Sequence, residues 1–84
     1  MQGQIVVITG ANSGIGRAAA EQIAGLGAHV VLVVRHPGKG EEAMADLQRR
    51  TGRDAFELVV ADLSELSQVR KAASEIRARH PKIH

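Results

Sequence analysis

The chain of 84 residues contains no cysteine, which excludes disulfides, thiolate metal sites and thiol nucleophiles. It also has neither tyrosine nor tryptophan, and Phe56 is its one phenylalanine. We therefore expect no surface that stacks bases or sugars on aromatic rings. The core has to be built from Val, Ile, Leu and Ala, which suits strands buried on both faces. The lack of cysteine also fits a reducing, cytoplasmic location.

Long apolar runs are missing as well. The longest, 5–8 and 30–34, are far too short to cross a bilayer, and no basic segment precedes a long apolar stretch near Met1. Neither a membrane partner nor a signal peptide is expected.

The excess of one charge is small, since 11 basic and 9 acidic residues leave a net charge of +2. The basic pairs at 49–50 and 70–71 lie apart on expected helices and form no stripe, so nucleic acid is not an expected partner.

We interpret His29, His80 and His84 as structural or exposed. Because no two histidines have ligand spacing on one helix face, the sequence predicts no metal site.

Strand-like and helix-like patterns alternate along the chain. Short β-branched or apolar runs predict strands at 5–8, 29–34 and 55–61, and apolar residues at helical spacing predict helices at 17–26 and 39–50. A third helix should follow Ser64 as its N-cap and end near 79–80, before Pro81. This order predicts an α/β, Rossmann-type three-layer fold with a parallel sheet in the order 3-2-1. We expect residues 1–84 to form one nucleotide-binding unit with no second domain.

A doubly wound sheet continues with a fourth strand beside the first, and the chain stops at His84, where that strand should begin. We therefore expect the chain to be half of a larger domain. The first strand would then have an open edge, available for self-association or for pairing with the absent half.

The most specific motif is Thr-Gly-Ala-Asn-Ser-Gly-Ile-Gly at 9–16, between an expected strand and an expected helix. Gly10 permits a tight turn, Gly14 allows the backbone to approach a pyrophosphate, and Gly16 allows the helix to pack close to the strand. The first amides of the helix and its dipole favour phosphate. The spacing also fits a loop that needs glycine for turning alone.

The end of the second strand favours NADP(H) over NAD(H). An NAD site usually has Asp or Glu there, and this chain has Val34 followed by Arg35. The guanidinium offers paired donors to a 2′-phosphate, and His36 and Lys39 add positive charge. An ordinary surface arginine is the alternative for Arg35.

The motif at 9–16 resembles the cofactor fingerprint of the short-chain dehydrogenase/reductases, and the likeness extends along the whole chain. Residues 12–16 with Arg35 and 39–41 are most similar to the retinol-dehydrogenase-like branch. The resemblance implies an oxidoreductase that acts on an alcohol or carbonyl, and it implies that Asp62-Leu63 binds adenine. Asp62 could instead cap the third helix. The residues expected to contact the cofactor are Gly10, Asn12, Ser13, Gly14, Ile15, Gly16, Arg35, His36, Asp62 and Leu63.

The chemistry of that family has no counterpart in this chain. Its Asn-Asn-Ala-Gly turn, catalytic Ser and Tyr-x-x-x-Lys pair are absent, so we assign no catalytic residue. The expected function is the NADP(H)-binding portion of a short-chain oxidoreductase. The alternatives are a non-catalytic nucleotide-binding or strand-edge interaction module, and an inert truncated product.

Overall fold

The computed structural model describes residues 3–10 and 14–80. Three strands alternate with three helices, in the order that the sequence predicts. The elements are β1 (Ile5–Thr9), α1 (Gly14–Gly25), β2 (His29–Val34), α2 (Pro37–Thr51), β3 (Phe56–Val60) and α3 (Leu66–Arg79). None of these helices is long and apolar enough to cross a membrane.

The three strands form one parallel sheet with β2 in the middle, so the predicted order 3-2-1 is confirmed. The register places Ile5 beside His29 and Val30 beside Phe56. All three strands therefore begin at one edge of the sheet and end at the other. In the described part of the chain β1 pairs with β2 alone.

Each face of the sheet has its own apolar core, which confirms the three-layer arrangement. Val30 and Leu32 of β2 pack with Leu47 and other residues of α1, α2 and β3. Val31 and Val33 point to the opposite face, where they pack with Ile76 and other residues of β3 and α3. This two-sided burial explains why β2 reads as an uninterrupted apolar run. By contrast, β1 is only half-buried, because it has one neighbouring strand in the structure.

The helices begin at different residues from those predicted. Helix α1 begins at Gly14 instead of Arg17, and α2 begins at Pro37 instead of Lys39. Proline suits a first helical position, where its fixed φ is already helical and no N–H is required. The prediction of Ser64 as an N-cap is wrong: the N-cap of α3 is Glu65, which makes no side-chain capping bond.

Gly40 lets α2 lie close to the end of β2. It is buried, and a Cβ at this position would overlap Cγ2 of Val34 and lie 3.0 Å from Cδ1 of Leu58. The close approach brings the first turn of α2 next to the carboxyl end of the central strand. The basic residues at that end are therefore supported by a packed helix.

Candidate functional site

The carboxyl ends of the three strands share one edge of the sheet. A concave pocket of about 290 Å³ lies there, lined by Gly10, Val33, Arg35, Ala61, Asp62, Leu63 and Ser64. In open parallel sheets, ligands bind outside the carboxyl ends of the strands. The pocket includes four of the residues that the sequence assigns to the cofactor: Gly10, Arg35, Asp62 and Leu63.

A second concavity of about 270 Å³ lies between the end of β3 and α3. It is lined by Val60, Ala61, Gln68, Lys71, Ala72 and Glu75. It includes none of the residues of the glycine turn or of the end of β2. The strand-end pocket is therefore the candidate site.

The glycine turn follows β1, and its first glycine, Gly10, has a left-handed backbone conformation. Gly10 has φ 65°, which side chains rarely adopt, and its N–H donates to the carbonyl of Val33 at 3.1 Å. Helix α1 then begins at Gly14 with no acidic residue in its first turn to compensate the helix dipole. A Cβ on Gly14 would meet no protein atom within 4 Å, and Ile15 is 88% exposed. Asn12 and Ser13 lie outside the described residues.

Arg35 and Asp62 form an ion pair across the strand ends. The Nε of Arg35 lies 3.6 Å from Oδ2 of Asp62, and the arginine side chain is 68% exposed. The two residues come from the ends of β2 and β3, which are neighbours in the sheet. Their side chains therefore meet at the pocket, as the parallel topology predicts.

Asp62 is held by the turn that leads into α3. Its Oδ1 accepts hydrogen bonds from the backbone N–H and the hydroxyl of Ser64, at 3.0 and 2.6 Å. These two bonds lower the pKa of Asp62, and the charges of Arg35 and His36 lower it further, against the opposing effect of burial. Asp62 therefore orders the turn before α3 and does not occupy its N-cap position. Its carboxylate is ionised at neutral pH.

Gln68, which the sequence analysis did not single out, supports the site residue Asp62 from α3. Its Oε1 accepts the backbone N–H of Asp62 at 2.6 Å, and its Nε2 donates to Glu65 at 3.1 Å. The residue lies six positions after Asp62, in the first turn of α3. An amide at that spacing could have indicated a side chain that returns to the strand end.

Two further basic side chains flank Arg35. His36 is the N-cap residue of α2, with extended backbone, and its carbonyl accepts the N–H of Gly40 at 2.9 Å. His36 and Lys39 are both exposed. The end of β2 therefore presents basic side chains to solvent beside the pocket.

Comparisons with known proteins agree on one family. Residues 4–84 match the short chain dehydrogenase family. The chain is 47% identical over 85 residues to the candidate daunorubicin C-13 ketoreductase DnrU of Streptomyces sp. (strain C5), covering 99% of this chain and 29% of that protein. It is 36% identical over 84 residues to human retinol dehydrogenase 11, covering 100% of this chain and 26% of that protein.

Solved structures show the same fold. The citronellol catabolism dehydrogenase AtuB of Pseudomonas aeruginosa PAO1 aligns with a TM-score of 0.91 at 36% identity, over 100% of this chain and 34% of that one. L-sorbose reductase of Gluconobacter frateurii, complexed with NADPH and L-sorbose, aligns at 0.85 and 34% identity, over 98% of this chain and 31% of that one. The 3-ketoacyl-(acyl-carrier-protein) reductase of Brucella melitensis, complexed with NADH, aligns at 0.81 and 32% identity, over 98% and 32%.

The chain thus spans about a third or less of each of these proteins. The resemblance inferred from the glycine turn is confirmed, and a retinol dehydrogenase is among the relatives. The chain belongs to the short chain dehydrogenase family.

Proposed function

We propose that this chain is the NADP(H)-binding part of a short-chain oxidoreductase that acts on an alcohol or carbonyl substrate. The observation that carries the proposal is the position of Arg35, exposed at the end of the central strand and directly after Val34. An NAD site usually has a carboxylate there, which would repel a 2′-phosphate. We also propose a cytoplasmic location, which the cysteine-free composition fits.

The ion pair between Arg35 and Asp62 leaves the arginine able to bind phosphate. Exposed pairs of this kind contribute only about 0–1 kcal/mol. A phosphate dianion accepts paired, charge-assisted hydrogen bonds from a guanidinium, which are stronger. We therefore expect Arg35 to turn from Asp62 to the 2′-phosphate, with His36 and Lys39 adding positive potential.

The rest of the pocket suits the remainder of the dinucleotide. Gly14 leaves open space at the N-terminus of α1, where backbone amides and the dipole favour a pyrophosphate. Asp62, once released by Arg35, can accept a hydrogen bond from the adenine amino group beside Leu63. We assign Asn12, Ser13, Ile15 and Gly16 to the same phosphate-binding turn.

The chain binds the cofactor and supplies none of the acid–base chemistry. Reduction of a carbonyl needs a general acid near the substrate oxygen. No tyrosine occurs in these 84 residues, and their serines have no Tyr–Lys pair beside them. When bound, the nicotinamide would supply the hydride, and the residues of this chain would hold the adenine and phosphate end.

A second candidate function is a non-catalytic nucleotide-binding or strand-edge interaction module. It is favoured by β1, which pairs on one side only in the described part of the chain. An open strand edge can add a strand from another chain. Analytical ultracentrifugation distinguishes the two: a defined dimer that persists without nucleotide supports the module.

Calorimetric titration of the folded chain with NADP⁺ and with NAD⁺ tests the first proposal. We expect NADP⁺ to bind more tightly, and Arg35→Ala to weaken NADP⁺ binding roughly 10- to 100-fold, as for the loss of one or two charge-assisted hydrogen bonds. NAD⁺ binding should change little in that variant, because NAD⁺ lacks the 2′-phosphate.

Arg77→Ala is the matched control, since this exposed arginine lies in the last turn of α3, away from the strand ends. It should leave both affinities unchanged. Equal binding of NADP⁺ and NAD⁺, or equal losses in the two arginine variants, would refute the role of Arg35. A folded chain that binds neither nucleotide would favour the interaction module.

A further inference from the structure

Three side chains with metal-binding groups meet at the edge of the sheet opposite to the candidate cofactor site. His29 is the first residue of β2, Glu57 is the second residue of β3, and His80 follows the last residue of α3. One ligand atom from each residue lies within 4.8 Å of the other two. We refer to these residues as the His29–Glu57–His80 cluster.

The fold explains why residues so far apart in sequence meet. His29 lies on the same face of β2 as Val31 and Val33, and Glu57 lies on the same face of β3 as Val59. This is the face that α3 covers. Gln68 contacts the end of β3 through Asp62, and His80 contacts its beginning through Glu57. Helix α3 therefore runs back along the sheet and delivers His80 to the edge where the strands start.

The contacts within the cluster leave one nitrogen unsatisfied. Nε2 of His80 lies 2.8 Å from Oε2 of Glu57, and the rings of His29 and His80 lie 5.3 Å apart between centroids. In the described part of the chain, Nε2 of His29 is the one buried side-chain nitrogen or oxygen without a hydrogen-bond partner. A buried polar group left without a hydrogen-bond partner destabilises the fold. A bound cation would give that nitrogen a partner.

We propose that His29, Glu57 and His80 bind a divalent transition metal ion, with Zn²⁺ as the expected occupant. Two imidazoles and one carboxylate are a ligand set that Zn²⁺ accepts, with water in the fourth position. Oxygen-seeking ions such as Mg²⁺ prefer carboxylates, carbonyls and water, so this set selects against them. The site would tie the end of α3 to the beginnings of β2 and β3.

The geometry requires only small side-chain adjustments. Ligand atoms about 2.0–2.2 Å from a tetrahedral zinc ion lie roughly 3.3–3.5 Å from one another. The ligand atoms of the cluster lie within 4.8 Å of one another, so the widest separation has to shorten by roughly 1.5 Å at most. The 2.8 Å separation of Nε2 of His80 from Oε2 of Glu57 has to lengthen by roughly 0.5 Å. His80 and Glu57 are partly exposed, with side-chain exposures of 18% and 24%, which leaves an entry path. Arg79 contacts Oε1 of Glu57 at 3.3 Å, so the ion would bind through Oε2.

Titration of the chelator-treated chain with ZnCl₂, followed by calorimetry and thermal melting, tests the site. We expect one zinc ion per chain and a raised melting temperature, and no such effect with MgCl₂. His29→Gln, Glu57→Gln and His80→Gln should each weaken zinc binding roughly tenfold or more. His36, the N-cap residue of α2, provides the matched control, and His36→Gln should retain the affinity.

Cobalt substitution gives a second readout that needs no variant. Co²⁺ bound by two imidazoles and a carboxylate should show visible absorption bands, which Zn²⁺ should abolish by displacing it. If His29→Gln fails to fold, His80→Gln, which alters a partly exposed helix end, and the cobalt spectrum together test the site. Absence of stoichiometric zinc binding, or a comparable loss in His36→Gln, would overturn the proposal.

Discussion

The carboxylate of Asp46 forms ion pairs with three arginines. Arg49 and Arg50 of the same helix lie 2.7 and 3.2 Å from its oxygens, and Arg17 of α1 lies 3.4 Å away. The hydrogen bond from Arg49 lowers the pKa of Asp46, and the charges of Arg50 and Arg17 lower it further, against the opposing effect of burial. The carboxylate thereby links α1 to α2 on the face of the sheet that these helices share.

This cluster predicts a particular acid sensitivity. Because its pKa is lower in the folded chain than in the unfolded chain, Asp46 stabilises the fold above its unfolded pKa, about 4. That stabilisation is lost as the pH falls through the lowered pKa of the folded state. We expect Asp46→Asn to be less stable than the wild type at neutral pH, with the difference shrinking on acidification. Melting temperatures of both proteins from pH 7 to about pH 2 check this.

Added salt provides the control for Asp46. The arginines are partly exposed, so 1 M NaCl should screen the pairs and narrow the gap between wild type and variant at neutral pH. A gap that stays constant across the whole pH range would show that the variant acts through packing and not through charge.

The close packing of helix α2 against β2 depends on Gly40, which has no side chain. A methyl group on Gly40 would overlap Val34, whose β-branched side chain has little freedom to move. Alanine normally improves a helix by up to about 1 kcal/mol relative to glycine. Overpacking normally costs about 1–3 kcal/mol, so we expect Gly40→Ala to destabilise the chain on balance. Urea unfolding measures the effect.

Gly38→Ala is the matched variant, because it lies in the same helix and its Cβ would meet no atom within 4 Å. It should be neutral or slightly stabilising. If Gly40→Ala proved as stable as Gly38→Ala, the close approach of α2 to β2 would not limit the choice of residue.

At the level of elements, the sequence predicts those bounds of strands and helices that depend on a local residue pattern. The bounds of β2 agree at 29–34, because an apolar run that is buried on both faces is bounded by polar residues. The start of α1 was placed late, because glycine is a poor helix former and hid the first turn. Helix α2 also begins earlier than the predicted residue 39, because Pro37 suits a first helical position.

The candidate sites could also be predicted from the sequence only in part. Parallel topology alone placed Gly10, Arg35 and Asp62 at one edge, since each follows the end of a strand. The ion pair between Arg35 and Asp62 and the contact of Gln68 depend on side-chain conformations that no pattern reports. The His29–Glu57–His80 cluster draws on three elements, so spacing along one helix could not have indicated it.

For the molecule as a whole, the sheet separates two sites of different chemistry. The strand ends carry the proposed phosphate-binding residues, and the strand starts carry the proposed zinc ligands. His29 and Arg35 lie six residues apart along β2, which corresponds to roughly 20 Å of extended chain. At that distance, ionic screening at physiological salt largely removes the direct interaction between exposed charges.

The two-sided burial of β2 has a consequence for communication between the ends of the strand. A strand packed on both faces resists rearrangement, and a ligand shifts a conformational equilibrium only when it binds the two states with different affinities. We therefore expect the zinc affinity to be the same, within about twofold, in the presence and absence of saturating NADP⁺. Calorimetric zinc titration under both conditions measures the coupling, and a tenfold difference would contradict it. On this view β2 is a rigid spacer that holds two ligands in one molecule while keeping their equilibria independent.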